Sequence, residues 1–368
     1  MIRPATVSDR DALVEIEGRC FTGDRLSRAQ FRYLLTRARA VTLVAETDDA
    51  VAGYATVLFR RGASLARLYS IAVDPLARGR GLGRRLLGAA EEAAWARGCA
   101  YLRLEVRVDD ETARALYRSA GYHRVELVRD YYEDGTDGLR LEKTLGPDVD
   151  PSQARVPYFP QSLEFTCGPA ALMMAMKALD PRMRIGRSLE LRIWREATTI
   201  FMTSGHGGCG PLGLALSARH RGFPAEVWVN DRGVPLIDSV RSGEKKEVMR
   251  LVHEDMLAEA KRLRLPVRYE PLSLPELRAA VDAGSMPLVL ISSYRIYQEK
   301  TPHWIVVTGI DDRFVYANDP YVDHEAGESE LDSIGMPVPA GEFTGMARYG
   351  RAGLQAVVLV HPRERGKS

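Results

Sequence analysis

Two successive mixed α/β domains are predicted by this sequence, on three observations. The chain has 368 residues, more than twice the roughly 150 residues of an average domain. Segments with the two-residue apolar period of strands alternate along it with segments of helical period. Residues 146–157 (GPDVDPSQARVP) combine three prolines, two aspartates, a glycine and a serine with no apolar period, which marks a linker. The predicted organisation is a domain over 1–145, a linker over 146–157 and a second domain over 158–362.

In the first domain, residues 41–47 (VTLVAET) and 51–60 (VAGYATVLFR) read as a hairpin about Asp48-Asp49-Ala50. Residues 67–73 (RLYSIAV) form a third strand that stops at Asp74-Pro75. Leu82, Leu86, Leu87, Ala90, Ala93 and Ala94 then recur at helical spacing up to Gly98, which suits a C-terminal cap. Residues 100–106 (AYLRLEV) alternate again: Leu102, Leu104 and Val106 share one face, and Tyr101, Arg103 and Glu105 the other. A short helix from Glu111 to Ala120 closes at Gly121.

The second domain opens on a helix whose first turn contains Pro169, where proline is tolerated, with Ala171, Leu172, Met174, Ala175 and Ala178 following at helical spacing. A further helical stretch lies near 241–264. Residues 303–310 (HWIVVTGI) and 314–319 (FVYAND) read as two strands about Asp311-Asp312-Arg313. With the turn centred near Asp312, position 303 falls opposite 320 or 321, so His303 and Asp319 meet at the open end.

Composition removes several classes of function. Hydrophobic residues at 45% and charged residues at 27% are globular values. Basic and acidic residues nearly cancel, 51 against 49, leaving a net charge of +2, so no field draws the chain to nucleic acid or anionic membranes. No apolar run approaches the roughly 18–20 residues of a membrane span, and the first residues lack a signal peptide's apolar core. A cytoplasmic protein is expected. Its four cysteines, Cys20, Cys99, Cys167 and Cys209, are scattered, as free thiols are. No metal is expected: His206, Cys209 and His220 lack a fourth ligand, and His253-Glu254 and His324-Glu325 are followed by Leu257 and Glu328 where a zinc helix needs histidine.

Two segments carry chemistry. Arg78-Gly79-Arg80-Gly81-Leu82-Gly83 joins a strand to a helix N-terminus, where glycines let backbone N–H groups approach an anion such as a pyrophosphate. A dinucleotide fingerprint starting at Gly79 would need glycine at Arg84, so that motif is excluded. The other segment centres on Cys167 at its helix N-terminus, where dipole and free N–H groups favour thiolate. His303 is the base for that thiol and Asp319 the carboxylate that orients the imidazole. The Gln161 amide, six residues before the thiol, is placed to donate to an oxyanion. Cys209-Gly210-Pro211 repeats the Cys167 triplet without the upstream glutamine and reads as an ordinary thiol.

Arg78-x-x-Gly81-x-Gly83 after IAVDP resembles the coenzyme A pyrophosphate loop of the GNAT acetyltransferase superfamily. Residues 104–122 (LEVRVDDETARALYRSAGY) resemble its second signature, and the whole is most similar to RimI-type protein N-terminal acetyltransferases. The resemblance implies a GNAT mixed sheet, acetyl-CoA as cosubstrate and an amine of a peptide or protein as acceptor. It implies contact with coenzyme A for Ile71, Val73, Arg78, Gly79, Arg80, Gly81, Gly83 and Asp110, with Glu105 as base and Tyr117 as acid. Asp110 departs from the family's usual Asn and still suits a helix cap. The order Gln161, Cys167, His303-aromatic and Asp319-Pro320 resembles the papain-like double-glycine peptidases over about 156–362. That implies a cysteine peptidase or amidase with Cys167, His303, Asp319 and Gln161 as its machinery. Two alternatives stay open for this half, a module that holds peptide without cutting and a thioester transamidase.

Overall fold

The computed structural model describes residues 1–47, 50–145, 156–198, 207–237, 240, 242–297, 301–324 and 330–363. The turn at Asp48-Asp49 and most of the expected linker, 146–155, lie outside the described residues, as does His206. The chain divides into two units, Met1–Val149 and Asp150–Ser368, each built on a seven-stranded mixed sheet.

The first unit runs β1 (Ile2–Pro4), α1 (Arg10–Cys20), α2 (Arg28–Thr36), β2 (Ala40–Thr47), β3 (Ala50–Phe59), β4 (Leu65–Val73), α3 (Leu82–Ala96), β5 (Tyr101–Arg107), α4 (Glu111–Ser119), β6 (His123–Val128) and β7 (Gly138–Thr144). Its strand order is β1-β2-β3-β4-β5-β7-β6. Every neighbouring pair is antiparallel except β4 and β5, which are parallel. Alternation divides the side chains between two cores. Leu43, Ala55, Leu68, Leu102, Leu104 and Leu141 face α3 and α4, whereas Val44, Tyr54 and Ala72 face α1 and α2. The helices end where the sequence says: Gly98 and Gly121 adopt left-handed φ of 77° and 91°, and the Asp110 carboxylate accepts the Ala113 N–H at 2.9 Å to cap α4.

The second unit runs α5 (Cys167–Leu179), α6 (Arg187–Ala197), α7 (Pro211–His220), β8 (Ala225–Val229), α8 (Gly243–Arg262), β9 (Val267–Arg268), α9 (Leu274–Asp282), β10 (Met286–Ser292), α10 (Tyr294–Tyr297), β11 (Pro302–Ile310), β12 (Phe314–Asn318), β13 (Met336–Pro339), α11 (Ala340–Met346) and β14 (Ala356–Val360). The order β13-β12-β11-β10-β14-β8-β9 is antiparallel apart from β8 and β9. Helix α5 is buried continuously from Cys167 to Met176, which explains why it is apolar all round rather than on one stripe. It shares a core with Leu288 and Leu290 of β10, Trp304 and Val306 of β11, and Val358 and Val360 of β14. Val156, at the end of the expected linker, is 8% exposed and belongs to this core.

No helix among the described residues is long and apolar enough to cross a membrane. No group of three or more His, Cys, Asp or Glu side chains there is poised to hold a metal ion.

Helices α6 and α7 approach so closely that a Cβ on Gly213 would fall 2.5 Å from Ala197 Cα and 2.6 Å from its carbonyl oxygen. Both contacts are backbone, which cannot swing aside. Gly213→Ala is therefore expected to destabilise the second unit by about 1–3 kcal/mol or more, seen as a melting temperature several degrees lower. Gly341→Ala, which meets nothing within 4 Å, serves as the unshifted control.

Candidate functional sites

The first site begins where two strands part. Parallel pairing of β4 with β5 covers only Leu65–Tyr101, Ala66–Leu102 and Arg67–Arg103. Towards Ile71, Val73 and Arg107 the two strands are no longer bonded to each other, and their C-terminal ends open a cleft in the sheet. Beyond Val73 the chain turns through Gly79 and Gly81, with φ of 79° and 72°, into the N-terminus of α3. No side chain caps that end, so its first-turn N–H groups remain available to an anion. A Cβ on Gly79 or Gly81 would meet nothing within 4 Å, so each glycine is required by backbone conformation and faces open space. At Gly83 a Cβ would make ordinary contacts with Leu116 and Val73; packing does not require that glycine. Arg78 Nε donates to Val73 O at 3.4 Å. This donor set suits a pyrophosphate.

Glu105 and Tyr117 lie on different faces of the sheet. Tyr117 is 5% exposed and sits in the α3/α4 core, its ring 5.7 Å from that of Tyr122. Burial, with Asp110 nearby, pushes its phenol well above the ordinary range, so at neutral pH it carries its proton. Glu105 lies on the opposite face, as the strand alternation implies, and that face is buried too: Tyr101 and Arg103 there are 1% and 5% exposed. Its carboxylate pairs with neither Arg103 nor Arg107. Arg67 Nε donates to Glu105 Oε2 at 2.9 Å, and Arg140 Nε stands 3.6 Å from Oε1. That second oxygen is buried without a hydrogen bond. Arg103 bonds Glu142 instead.

The sequence gives no sign of the segment between β6 and β7 that joins this face. Arg67 donates to Tyr131 Oη at 2.8 Å, and Arg107 stacks over Tyr132 at 5.0 Å while bonding Asp134 and Thr136. Burial raises the Tyr132 phenol, with Tyr131, Glu105 and Tyr117 adding to the effect. Also unforeseen, buried Glu17 accepts the Leu26 N–H at 2.8 Å and the Tyr54 hydroxyl, anchoring the α1–α2 connection.

The second site is assembled from four stretches of chain. In β11 and β12 the register pairs Val306 with Asn318 and Val307 with Ala317, and the same offset carries His303 opposite Tyr321. His303 Nε2 lies 2.6 Å from Asp319 Oδ1. Asp319 is fully buried and also accepts from Tyr321 N at 2.9 Å and from the Tyr297 hydroxyl at 2.7 Å. The Tyr297 ring stands edge-on to the imidazole, 6.1 Å between centroids. With Nε2 committed to Asp319, Nδ1 is the nitrogen left for Cys167.

Burial pushes both members of the Cys167–His303 pair towards their neutral forms, and their partners outweigh it. For Cys167 the hydrogen bond and charge of His303, with the N–H groups of Trp304 and Gly168, bring the thiol below its ordinary value. For His303 the charge and hydrogen bond of Asp319, together with Cys167, raise the imidazole to about 10. Both shifts favour a thiolate beside an imidazolium. No other thiol resembles it: burial pushes Cys20 up, Cys99 to about 11 and Cys209 well above the ordinary value. Cys209 is nonetheless close, its Cβ 3.1 Å from where a Cβ on Gly168 would be. Its carbonyl accepts the Trp304 indole N–H at 3.0 Å.

Gln161 joins the site through its backbone, which donates to Pro320 O at 2.8 Å. Its side-chain Nε2 donates to Leu163 O at 3.0 Å, inside its own loop, and its Oε1 is buried without a partner. His220 pairs with Glu259 at 3.1 Å.

Comparison with known proteins follows this division. The Peptidase_C39 like family matches residues 156–361, more than half of the chain, and the Acetyltransferase (GNAT) family matches residues 10–122. The N-alpha-acetyltransferase RimI of Mycobacterium tuberculosis is 37% identical over 151 residues, which make up 40% of this chain and 92% of that protein. An uncharacterized Mycobacterium leprae protein is 40% identical over 147 residues, 39% of this chain and 40% of its own length, so less than half of that relative is spanned. A ribosomal-protein-alanine N-acetyltransferase structure from Brucella melitensis is 27% identical, with a TM-score of 0.36, over 39% of this chain and 99% of that one. The chain belongs to the Peptidase_C39 like family through its second unit and carries a GNAT acetyltransferase domain, with RimI-like homologues, in its first.

Proposed function

We propose that the chain is a bifunctional enzyme. Its first unit would acetylate an amine of a peptide or protein, and its second would cleave an amide through Cys167. The observation that carries the peptidase half is the Cys167–His303 pair built on a fully buried Asp319, with shifts that favour its charged form. A domain that only held peptides would have no need of it. The intact pair also favours cleavage over a non-cleaving module.

In the first unit, acetyl-CoA supplies the activated acetyl group when bound. Gly79, Gly81 and the α3 N-terminus hold its pyrophosphate, with Arg78 and Arg80 alongside and Gly83 and Asp110 at the starts of the two flanking helices. Ile71 and Val73 form the open edge of β4. Glu105 Oε1, free of hydrogen bonds while Arg67 fixes Oε2, takes the proton of the acceptor ammonium directly or across water. Tyr117 keeps its proton until it is delivered to the departing sulfur. The cleft between β4 and β5 lets groups on opposite faces of the sheet serve one acceptor.

In the second unit the Cys167 thiolate attacks the amide carbon, and the oxygen takes the electron pair. The Cys167 N–H and the Gln161 amide receive that oxyanion. His303 passes its proton to the leaving amine, and water then releases the acyl group from sulfur.

Two outcomes test these assignments. In a peptide library incubated with acetyl-CoA and read by mass spectrometry, Cys167→Ala should abolish cleavage and leave acetylation intact. Glu105→Gln and Tyr117→Phe should each slow acetylation about 100-fold and leave cleavage intact; either activity persisting in its own variant removes that assignment. The second is a pH profile of Cys167 alkylation by iodoacetamide. The thiol is lowered, so reactivity should persist below the ordinary thiol value of 9.0. The ion pair is lost as pH rises through the imidazole's value of about 10. Asp319→Asn removes the charge that raises His303 and should move the acidic limb of the profile upward; an unmoved limb contradicts Asp319's role.

A further inference from the structure

Helix α6 buries Glu190, Ile193 and Ala197 along one stripe, at the i, i+3 and i+7 positions that face a core. Two of the three are apolar, as the pattern demands. Glu190 is a carboxylate with no exposure at all, in a place where leucine would fold more favourably, because burying a charge is costly unless hydrogen bonds compensate. Its hydrogen bond runs to the second site: Glu190 Oε1 accepts the Ser162 N–H at 2.7 Å. Oε2 is buried without a hydrogen bond. A residue that violates the folding pattern and bonds to the segment next to a reactive thiol is expected to serve function rather than stability.

Ser162 follows Gln161 directly. The Gln161 backbone is therefore held on both sides, by its own N–H on Pro320 O at 2.8 Å and by the next N–H on Glu190. The Gln161 side chain is held much less firmly. Its Oε1 accepts nothing, and its Nε2 shares Leu163 O with two donors from Thr166, the hydroxyl at 2.8 Å and the N–H at 3.1 Å. A carbonyl has two lone pairs, so the third donor is the one most easily released. The backbone is pinned while the amide is free to turn.

From this we infer that Glu190 is a positioning residue for the oxyanion donor: through the Ser162 N–H it fixes the Gln161 backbone so that the Gln161 amide can leave Leu163 and meet an oxyanion beside Cys167. The inference rests on the reading of Cys167 as a nucleophile. It adds a residue that touches neither thiol nor imidazole.

Two probes separate this role from a structural one. Iodoacetamide alkylates Cys167 by displacing iodide and creates no oxyanion. A peptide aldehyde, N-acetyl-glycyl-glycinal, is captured when the thiolate adds to the carbonyl carbon and the carbonyl electron pair moves to oxygen, which then takes a proton from His303. The full chain is compared as wild type, Glu190→Leu, Glu190→Gln, Gln161→Ala and the Glu190→Leu/Gln161→Ala double variant. Leucine keeps the α6 stripe filled, and glutamine keeps an acceptor for the Ser162 N–H. Alkylation of Cys167 should stay within about twofold in every variant. Aldehyde capture, measured as protection from alkylation, should weaken about tenfold in Glu190→Leu and in Gln161→Ala, the size of one charge-assisted hydrogen bond. The double variant should be no weaker than Gln161→Ala alone, and Glu190→Gln should recover most of the loss. Unchanged capture in Glu190→Leu, equal slowing of both probes, or additive losses in the double variant would each overturn the assignment. Failure of wild-type Cys167 to alkylate ahead of Cys20, Cys99 and Cys209 has a different meaning: it sinks the nucleophile reading itself.

Discussion

The contact between His303 and a fully buried Asp319 is the constraint on which the second site depends. Burying a carboxylate completely is costly unless hydrogen bonds compensate, and Asp319 is compensated on both oxygens by an imidazole, a backbone N–H and a tyrosine hydroxyl. Removing one partner of such a buried pair typically costs about 3–5 kcal/mol, so the β11–β12 register, the start of the segment after β12 and the position of Tyr297 are locked together. The same contact assigns Nε2 to Asp319 and leaves Nδ1 for sulfur. The lowered Cys167 thiol follows from this arrangement and from the N-terminus of α5, whereas burial raises Cys20, Cys99 and Cys209.

The first unit relies on buried charge in a different way. Arg67, Glu105, Arg140 and Glu126 form a chain of ion pairs across β4, β5, β7 and β6, with contacts of 2.9, 3.6 and 2.6 Å. One face of the sheet is apolar against α3 and α4, and the other is polar where Glu105 lies. Because β4 and β5 separate beyond Arg67 and Arg103, the sheet opens between the face against which Tyr117 is packed and the face that carries Glu105. A sheet paired along its whole length would keep them apart.

Much of this arrangement was legible because it is local. Gly-x-Gly after a strand, Pro169 after Cys167, and the turn at Asp312 each fix geometry over a few residues, and the meeting of His303 with Asp319 follows from hairpin register alone. What was not legible depends on pairing across long stretches of chain. Alternation in β5 sets Glu105 on the face away from Leu102 and Leu104, but its partner Arg67 lies 38 residues earlier and the β6–β7 segment covers that face. Tyr297 and Glu190 reach the second site from helices that carry no motif. The one available sign of Glu190 was negative, a charge in the apolar stripe with Ile193 and Ala197. Cys209 shows the reverse limit: the triplet it shares with Cys167 begins a helix in both places, but among the described residues only Cys167 pairs with an imidazole.

The protonation of His303 tests the central claim most directly. Nitrogen-15 NMR of imidazole-labelled protein reads both ring nitrogens as pH is raised. The account predicts that His303 keeps protons on both nitrogens past pH 8 and loses one only near 10, while Cys167 is already thiolate. A His303 ring with one bare nitrogen at pH 7.5, titrating near the ordinary histidine value of 6.5, would contradict it.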